Sequence, residues 1–158
     1  RRLLETTSID DLKINFVFDA FALPALTDVL LARFQAFDTT TKISIIAEHP
    51  RRDLVPVGIE LYEHAGSFRS AEKLGQSVIL PLAPYFSVED LSAVLLAAGD
   101  NGQIWDAAGT PDILERLFET TTALLPDSRA HWERFLASMG RRKRNFYAGL
   151  QERLDPNP

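Results

Sequence analysis

Three polar side chains, Asp19, Glu48 and His49, have the types and placement that could support catalysis in this sequence. Asp19 ends the alternating apolar segment 12–19, Glu48 ends a second apolar segment, 42–48, and His49 follows directly. If these segments are neighbouring parallel strands, the three side chains meet at the edge where open α/β sheets bind ligands. Two carboxylates and an imidazole could hold a divalent cation or act as an acid–base pair, which predicts a metal-assisted hydrolase or nuclease. We favour the alternative that both acids point into solvent, because carboxylates are seldom buried without partners.

A second candidate is a cationic cluster near the C-terminus. It consists of Arg141, Arg142, Lys143 and Arg144, followed by Phe146 and Tyr147. Such a cluster could bind phosphates and stack a base, which predicts nucleic-acid binding through a basic C-terminal helix. The aromatic residues also fall in register with an apolar stripe that begins at Trp132, so we prefer a solvated cationic face with a packed aromatic side. A third interpretation is a docking site for an acidic protein or an anionic surface.

Other catalytic signatures are missing from the sequence. It contains no Gly-x-Ser-x-Gly elbow, no glycine-rich phosphate loop and no cysteine. The histidines are few and scattered, and we expect His64 to lie far from His49. We therefore predict no bound metal and no cofactor.

Length and charge define the kind of protein expected. The 158 residues suit a single globular domain, and the net charge of −5 divides into +3 for residues 141–158 and −8 for the rest. An acidic body argues against a broad nucleic-acid surface and can steer an oppositely charged protein. No apolar run reaches the roughly 20 residues of a membrane span, and no signal peptide is evident. With the lack of cysteine, these features predict a cytoplasmic protein.

The apolar periodicity predicts the secondary structure. Period-two alternation or β-branched enrichment predicts about four strands, at 12–19, 42–48, 55–61 and 77–82. Helical spacing predicts helices at 24–37, 88–98, 111–125 and 128–154, of which the last is either one bent helix or two. The best-specified helix start is a capping box formed by Ser87 and Asp90.

Together these elements predict an α/β or α+β fold, with a mixed sheet, helices on at least one face and a helical C-terminal portion. Within the single domain 1–158, residues 1–11 form a lead-in, 12–86 are mainly strands with one crossover helix, 87–154 are mainly helical, and 155–158 fray. The leading functional prediction is a non-catalytic protein-binding module. It could be an adaptor, an immunity or inhibitor-type protein, or a component domain of a larger assembly.

Overall fold

Helices make up the regular secondary structure in the computed structural model of this chain, which describes residues 32–139 and 147–154. No strand occurs in these ranges, so the predicted α/β or α+β fold is wrong and the described fold is all-helical. The predicted strand 12–19, the lead-in 1–11 and the tail 155–158 lie outside the described residues. Of the predicted helix 24–37, only its C-terminal part is described, and residues 32–34 are helical there.

The helices follow one another with short connections. In chain order they are α1 (Thr39–Glu48), α2 (Val55–Glu63), α3 (Phe68–Leu74), α4 (Leu80–Leu82), α5 (Val88–Asp100), α6 (Gly102–Trp105), α7 (Thr110–Leu124), α8 (Ser128–Ala137) and α9 (Ala148–Leu154). A π-helical segment, Gly75–Ile79, joins α3 to α4. One 3₁₀ turn, Arg52–Leu54, precedes α2, and another, Ala83–Tyr85, follows α4.

Alternate helices stack into two layers. In the first layer, α1 contacts the π-helical segment and α4. Both of these contact α7, and so does α3, while α7 also contacts α9. In the second layer, α2 contacts α5 and α5 contacts α8. One hydrophobic cluster extends through both layers, from Phe34 to Leu154.

The predicted strand 42–48 is instead part of α1. Asp38 is the N-cap of this helix, and its Oδ1 accepts a hydrogen bond from the backbone N–H of Thr41 at 2.7 Å. The hydrogen bond holds the pKa of the Asp38 carboxyl below its usual range. Isoleucine has a high β propensity, but this preference is weak. The burial of Ile43, Ile45 and Ile46 in the hydrophobic core overrides it.

The predicted strand 55–61 is likewise a helix, α2. Val55, Ile59 and Tyr62 are all buried and follow the i, i+4, i+7 spacing of one helix face. The same segment also alternates apolar and other residues with period two, and short apolar runs fit both periods equally well. Pro56 stands in the first helical turn, where its missing N–H costs nothing.

The predicted strand 77–82 spans the end of the π-helical segment and α4. Pro81 and Pro84 have no N–H to donate, so a regular α-helical hydrogen-bond ladder cannot run through this segment. The backbone switches accordingly: the N–H of Leu80 donates to the Gly75 carbonyl in a π-type bond, and Ala83 donates to Leu80 in a 3₁₀-type bond. The prolines therefore interrupt the α-helical hydrogen-bond pattern rather than end a strand.

The predictions for the C-terminal half are confirmed more closely. Helix α5 covers the predicted 88–98, and α7 matches the predicted 111–125 to within one residue. Within the predicted 128–154, α8 ends at Ala137 with Ser138 as its C-cap, and α9 is a separate helix; residues 140–146 between them lie outside the described part. Of the two alternatives, the single bent helix is therefore wrong.

The capping box at the start of α5 is confirmed. Ser87 Oγ accepts from the backbone N–H of Asp90 at 3.2 Å, and Asp90 Oδ2 accepts from the backbone N–H of Ser87 at 2.8 Å. Asp90 also forms an ion pair with Arg52, which ties the start of α5 to the turn before α2.

Replacing Ser87 with alanine removes the acceptor that caps α5, so we expect the free energy of unfolding to fall by about 1 kcal/mol. Urea denaturation measures this change. Ser92→Ala, at an exposed position inside the same helix, is the control and should leave stability unchanged or slightly raised because alanine is the better helix former. Equal losses in both variants would contradict the capping role.

Candidate docking surface on helix α5

The predicted catalytic residues do not meet at a sheet edge in the described part of the chain. Glu48 is the exposed last residue of α1, and His49 is its C-cap, with a backbone N–H that donates to the Ile45 carbonyl at 2.9 Å. Asp19 lies outside the described residues. Residues 42–48 are helical, so they do not form the predicted strand that would have brought Glu48 and His49 beside Asp19.

Only part of the predicted cationic binding site is among the described residues. Arg141, Arg142, Lys143 and Arg144 lie outside the described residues, whereas Tyr147 is described and 1% exposed. The Tyr147 ring stacks on Trp105 with ring centroids 4.9 Å apart and contacts the Phe135 ring edge-on. Its position agrees with the interpretation in which the aromatic side of this segment packs against the core.

A second buried phenol, Tyr62, lies near Tyr147. Tyr62 is fully buried, and its hydroxyl has no hydrogen-bond partner among the described residues. Burial raises the pKa of Tyr62 well above its ordinary value. Burial also raises the pKa of Tyr147, and the nearby Tyr62 phenol and Asp106 carboxylate raise it further. Neither phenol can ionise without cost while the protein is folded.

Replacing Tyr62 with phenylalanine should raise the free energy of unfolding by about 1 kcal/mol at neutral pH, because it removes a buried hydroxyl without a partner. The variant should also resist alkali better. The unfolded tyrosine ionises above a pKa of about 10, whereas the folded one stays neutral, so stability is retained below that pH and falls above it. For Tyr62 the slope is at most about 1.4 kcal/mol per pH unit. Denaturant titrations between about pH 8 and 11.5 compare the two proteins around that pKa. Parallel stability curves for both would contradict this account.

The most exposed large apolar side chain of the described residues is Leu96, on the outer side of α5, at 65%. It lies four residues after Ser92 and four before Asp100, so these three side chains share one helix face. The opposite face carries an apolar stripe of Leu91, Val94, Leu95 and Ala98, and all four are buried. An exposed leucine alone is ordinary on a protein surface, so its surroundings decide its significance.

A groove of about 320 Å³ lies on one side of Leu96, between α5 and α8. Arg134 and His131 of α8 line it, and a guanidinium nitrogen of Arg134 lies 3.2 Å from Nδ1 of His131. Phe135, buried at 8% exposure, contributes apolar surface to the same groove. This side of Leu96 therefore combines an apolar wall with a cation.

A larger groove of about 460 Å³ lies on the other side of Leu96, near the C-terminal ends of α2 and α5. Its charged lining residues are Glu63 and Asp100. Asn101 holds the two helix ends together, because its Nδ2 donates to the carbonyls of Glu63 at 2.9 Å and Ala65 at 3.1 Å. The groove thus has a fixed frame and an acidic lining.

The charged side chains beside the two grooves have no ion-pair partners among the described residues. The ion pairs in these ranges join Arg51 with Asp53, Arg52 with Asp90, Arg116 with Asp112, Arg129 with Glu133, and Arg153 with Glu119. Arg134, Glu63 and Asp100 are in none of them, and the polar contacts of the Arg134 guanidinium are with the Ala130 carbonyl at 3.4 Å and with the His131 ring, both on its own helix. Each is therefore available to an oppositely charged group from outside.

Another concave site of about 300 Å³ lies between α1, α2 and α3. Lys42, Glu60 and His64 line it, and His64 Nδ1 lies 2.8 Å from the Glu60 carbonyl.

Across residues 32–139 and 147–154, no three His, Asp or Glu side chains are grouped to hold a metal ion. In the same ranges no helix has the length and apolar character needed to cross a membrane.

Comparison with family models, with curated proteins and with solved structures finds no match to this chain. The class that the described residues define is an all-helical fold.

Proposed function

We propose that this protein is a non-catalytic protein-binding module and that its docking surface is the outer face of α5 with the two grooves beside it. The observation that carries the proposal is Leu96, an exposed leucine between a groove with a cation and a groove with two carboxylates. A buried apolar anchor surrounded by charged groups is the usual composition of a protein interface.

The proposal extends to cell location and biological role. The lack of cysteine favours a reducing compartment, so we place the protein in the cytoplasm. An adaptor, an inhibitor or immunity-type protein, and a component of a larger assembly would each use such a surface. Neither the metal-assisted hydrolase nor the nucleic-acid hypothesis gains a specific observation from the described residues.

Site-specific photo-crosslinking tests the docking surface. A benzophenone amino acid replaces Leu96 or Ser92 on the α5 face, and Leu124 of α7 serves as the matched control because it is also an exposed leucine, at 55%. We expect the same covalent adduct from both α5 positions and none from position 124. Adding Arg134→Glu should weaken the adducts, because it reverses the charge of one groove.

Two results would count against the proposal. One is the absence of an adduct at positions 92 and 96, and the other is an equal adduct at position 124. Circular dichroism spectra and melting temperatures close to those of the unmodified protein show that each variant remains folded.

A further inference from the structure

We infer that the partner on this face is a second copy of the same chain, in a two-fold symmetric dimer that packs α5 against α5. In this dimer Leu96 of one copy contacts Leu96 of the other, and Arg134 of each copy faces Glu63 and Asp100 of its mate. The inference rests on the proposed function because it uses the same surface, and it specifies which molecule binds there.

The cation and the carboxylates lie beside different neighbours of α5. Helix α5 contacts both α2 and α8, which are its two neighbours in the second layer. The groove with Arg134 is formed with α8, and the groove with Glu63 is formed with α2. Cation and carboxylates therefore lie on opposite sides of the apolar centre at Leu96.

A two-fold axis that runs parallel to α5 in the interface places the α8 side of one copy against the α2 side of the other. Each Arg134 then meets the carboxylates of the other copy, so one surface supplies both halves of two ionic contacts, as an isologous interface requires. The groove with Arg134 extends along α5 from Leu96 back to Ser92, and the acidic groove extends from Leu96 on to Asp100, each a rise of about 6 Å. The side chains of Arg134 and of the facing carboxylates must bridge the offset between the two grooves.

The charge pattern also selects between two possible dimers. A two-fold axis perpendicular to α5 in the interface would set α8 against α8 and bring Arg134 close to Arg134. It would also set the carboxylates of α2 and α5 against each other. Like charges that face each other oppose association, so only the arrangement with parallel α5 helices is electrostatically complementary.

The same features favour a second copy over an unrelated protein. A partner must present an apolar side chain with an acid on one side and a base on the other. This chain presents that set itself, and its three charged groups find no ionic partner within the described residues. Leu96 alone supplies a large exposed apolar side chain at the centre, so we expect a weak dimer with a Kd of about 10–100 µM.

Sedimentation velocity of the full chain, from about 1 to 500 µM, tests the dimer across the expected Kd. We expect dimer formation that weakens as salt increases, because the ionic contacts are at the surface. Leu96→Asp should weaken dimerisation at least about tenfold, whereas Leu124→Asp, the matched exposed leucine on α7, should have no effect. A dimer that is insensitive to Leu96→Asp would overturn the inference.

A mixing experiment tests the pairing of charges. Arg134→Glu places acid against acid in its own dimer, and the double variant Glu63→Lys/Asp100→Lys places base against base. Each alone should be largely monomeric. Mixed together, they should form a heterodimer, because both ionic contacts then join opposite charges. Failure to recover association on mixing would refute this arrangement.

The outcomes separate this inference from the proposed function. A wild-type chain that stays monomeric throughout the concentration range overturns the dimer. If benzophenone at position 96 still gives an adduct in that case, and the adduct has the mass of a different protein, the docking surface stands with another partner. An adduct of twice the chain mass supports both proposals.

Discussion

Replacing Trp132 with alanine should lower the free energy of unfolding by about 3–5 kcal/mol, the largest loss that we expect from a single substitution in the described residues. Trp132 of α8 is fully buried and contacts the rings of Phe118 and Phe135 edge to face, at centroid distances of 5.4 and 6.1 Å. Truncation therefore removes ring contacts and leaves a cavity between α7 and α8. Equilibrium denaturation with urea measures the loss.

A hydrogen bond adds to the packing and allows a sharper control. Trp132 Nε1 donates to Thr121 Oγ1 at 3.0 Å, and Thr121 in turn donates to the Leu117 carbonyl at 2.9 Å. Thr121→Val should cost about 1–3 kcal/mol by leaving the indole N–H without a partner. Adding Thr121→Val to Trp132→Phe should cost less, because that indole is already gone. Strictly additive effects would contradict the role of this hydrogen bond.

Replacing Gly75 with alanine should lower the free energy of unfolding by about 2 kcal/mol, although alanine normally favours helices over glycine by about 1 kcal/mol. Gly75 begins the π-helical segment, which contacts α1, α2 and α7. A Cβ at this position would lie 2.6 Å from Cδ1 and 3.1 Å from Cγ2 of Ile113. Because the branched side chain of Ile113 is itself fully buried, it cannot turn away without disturbing the core.

Two further variants isolate the steric cause. Gly99→Ala, in α5, has open space around the added carbon and should keep or raise stability. Ile113→Val removes Cδ1, so Gly75→Ala should cost less in that background than in the wild type. If Gly75→Ala is as harmless as Gly99→Ala, the close approach of the π-helical segment to α7 is not as described.

Local signals in the sequence were most reliable where backbone and side chain determine a helix end by themselves. The capping box of Ser87 and Asp90 and the proline in the first turn of α7 each satisfy or avoid an unpaired backbone group within a few residues. Such features do not depend on distant parts of the chain. Asp38 carries the same type of signal. The predicted helix 24–37 ends just before it, whereas in the structure Asp38 is the N-cap of α1.

Period alone could not decide between helix and strand in the first half of the described chain. Segments 42–48, 55–61 and 77–82 are short, rich in β-branched residues and apolar on more than one face. Helices that pack between neighbours in a two-layer stack bury more than one face, so they lose the narrow apolar stripe that identifies a surface helix. Which neighbours cover them is a property of the assembled core.

The candidate site shows the same division. The buried stripe of α5 follows from spacing, since Leu91 and Leu95 recur on one face. Leu96 directly follows Leu95 of that stripe. Neither its residue type nor that of Ser92, four residues before it on the same face, indicated a binding site. Only the packing of α2 and α8 beside α5 produces the grooves with Glu63 and Arg134.

The sequence by itself determined the acidic charge, the cysteine-free composition, the capped start of α5 and the helices of the C-terminal half, because these depend on composition or on contacts within a few residues. The tertiary structure alone decided that the segments at 42–48, 55–61 and 77–82 are helical and that Leu96 lies between grooves of opposite charge. Both outcomes depend on contacts between residues far apart in the chain, and no local pattern encodes which distant surfaces will meet.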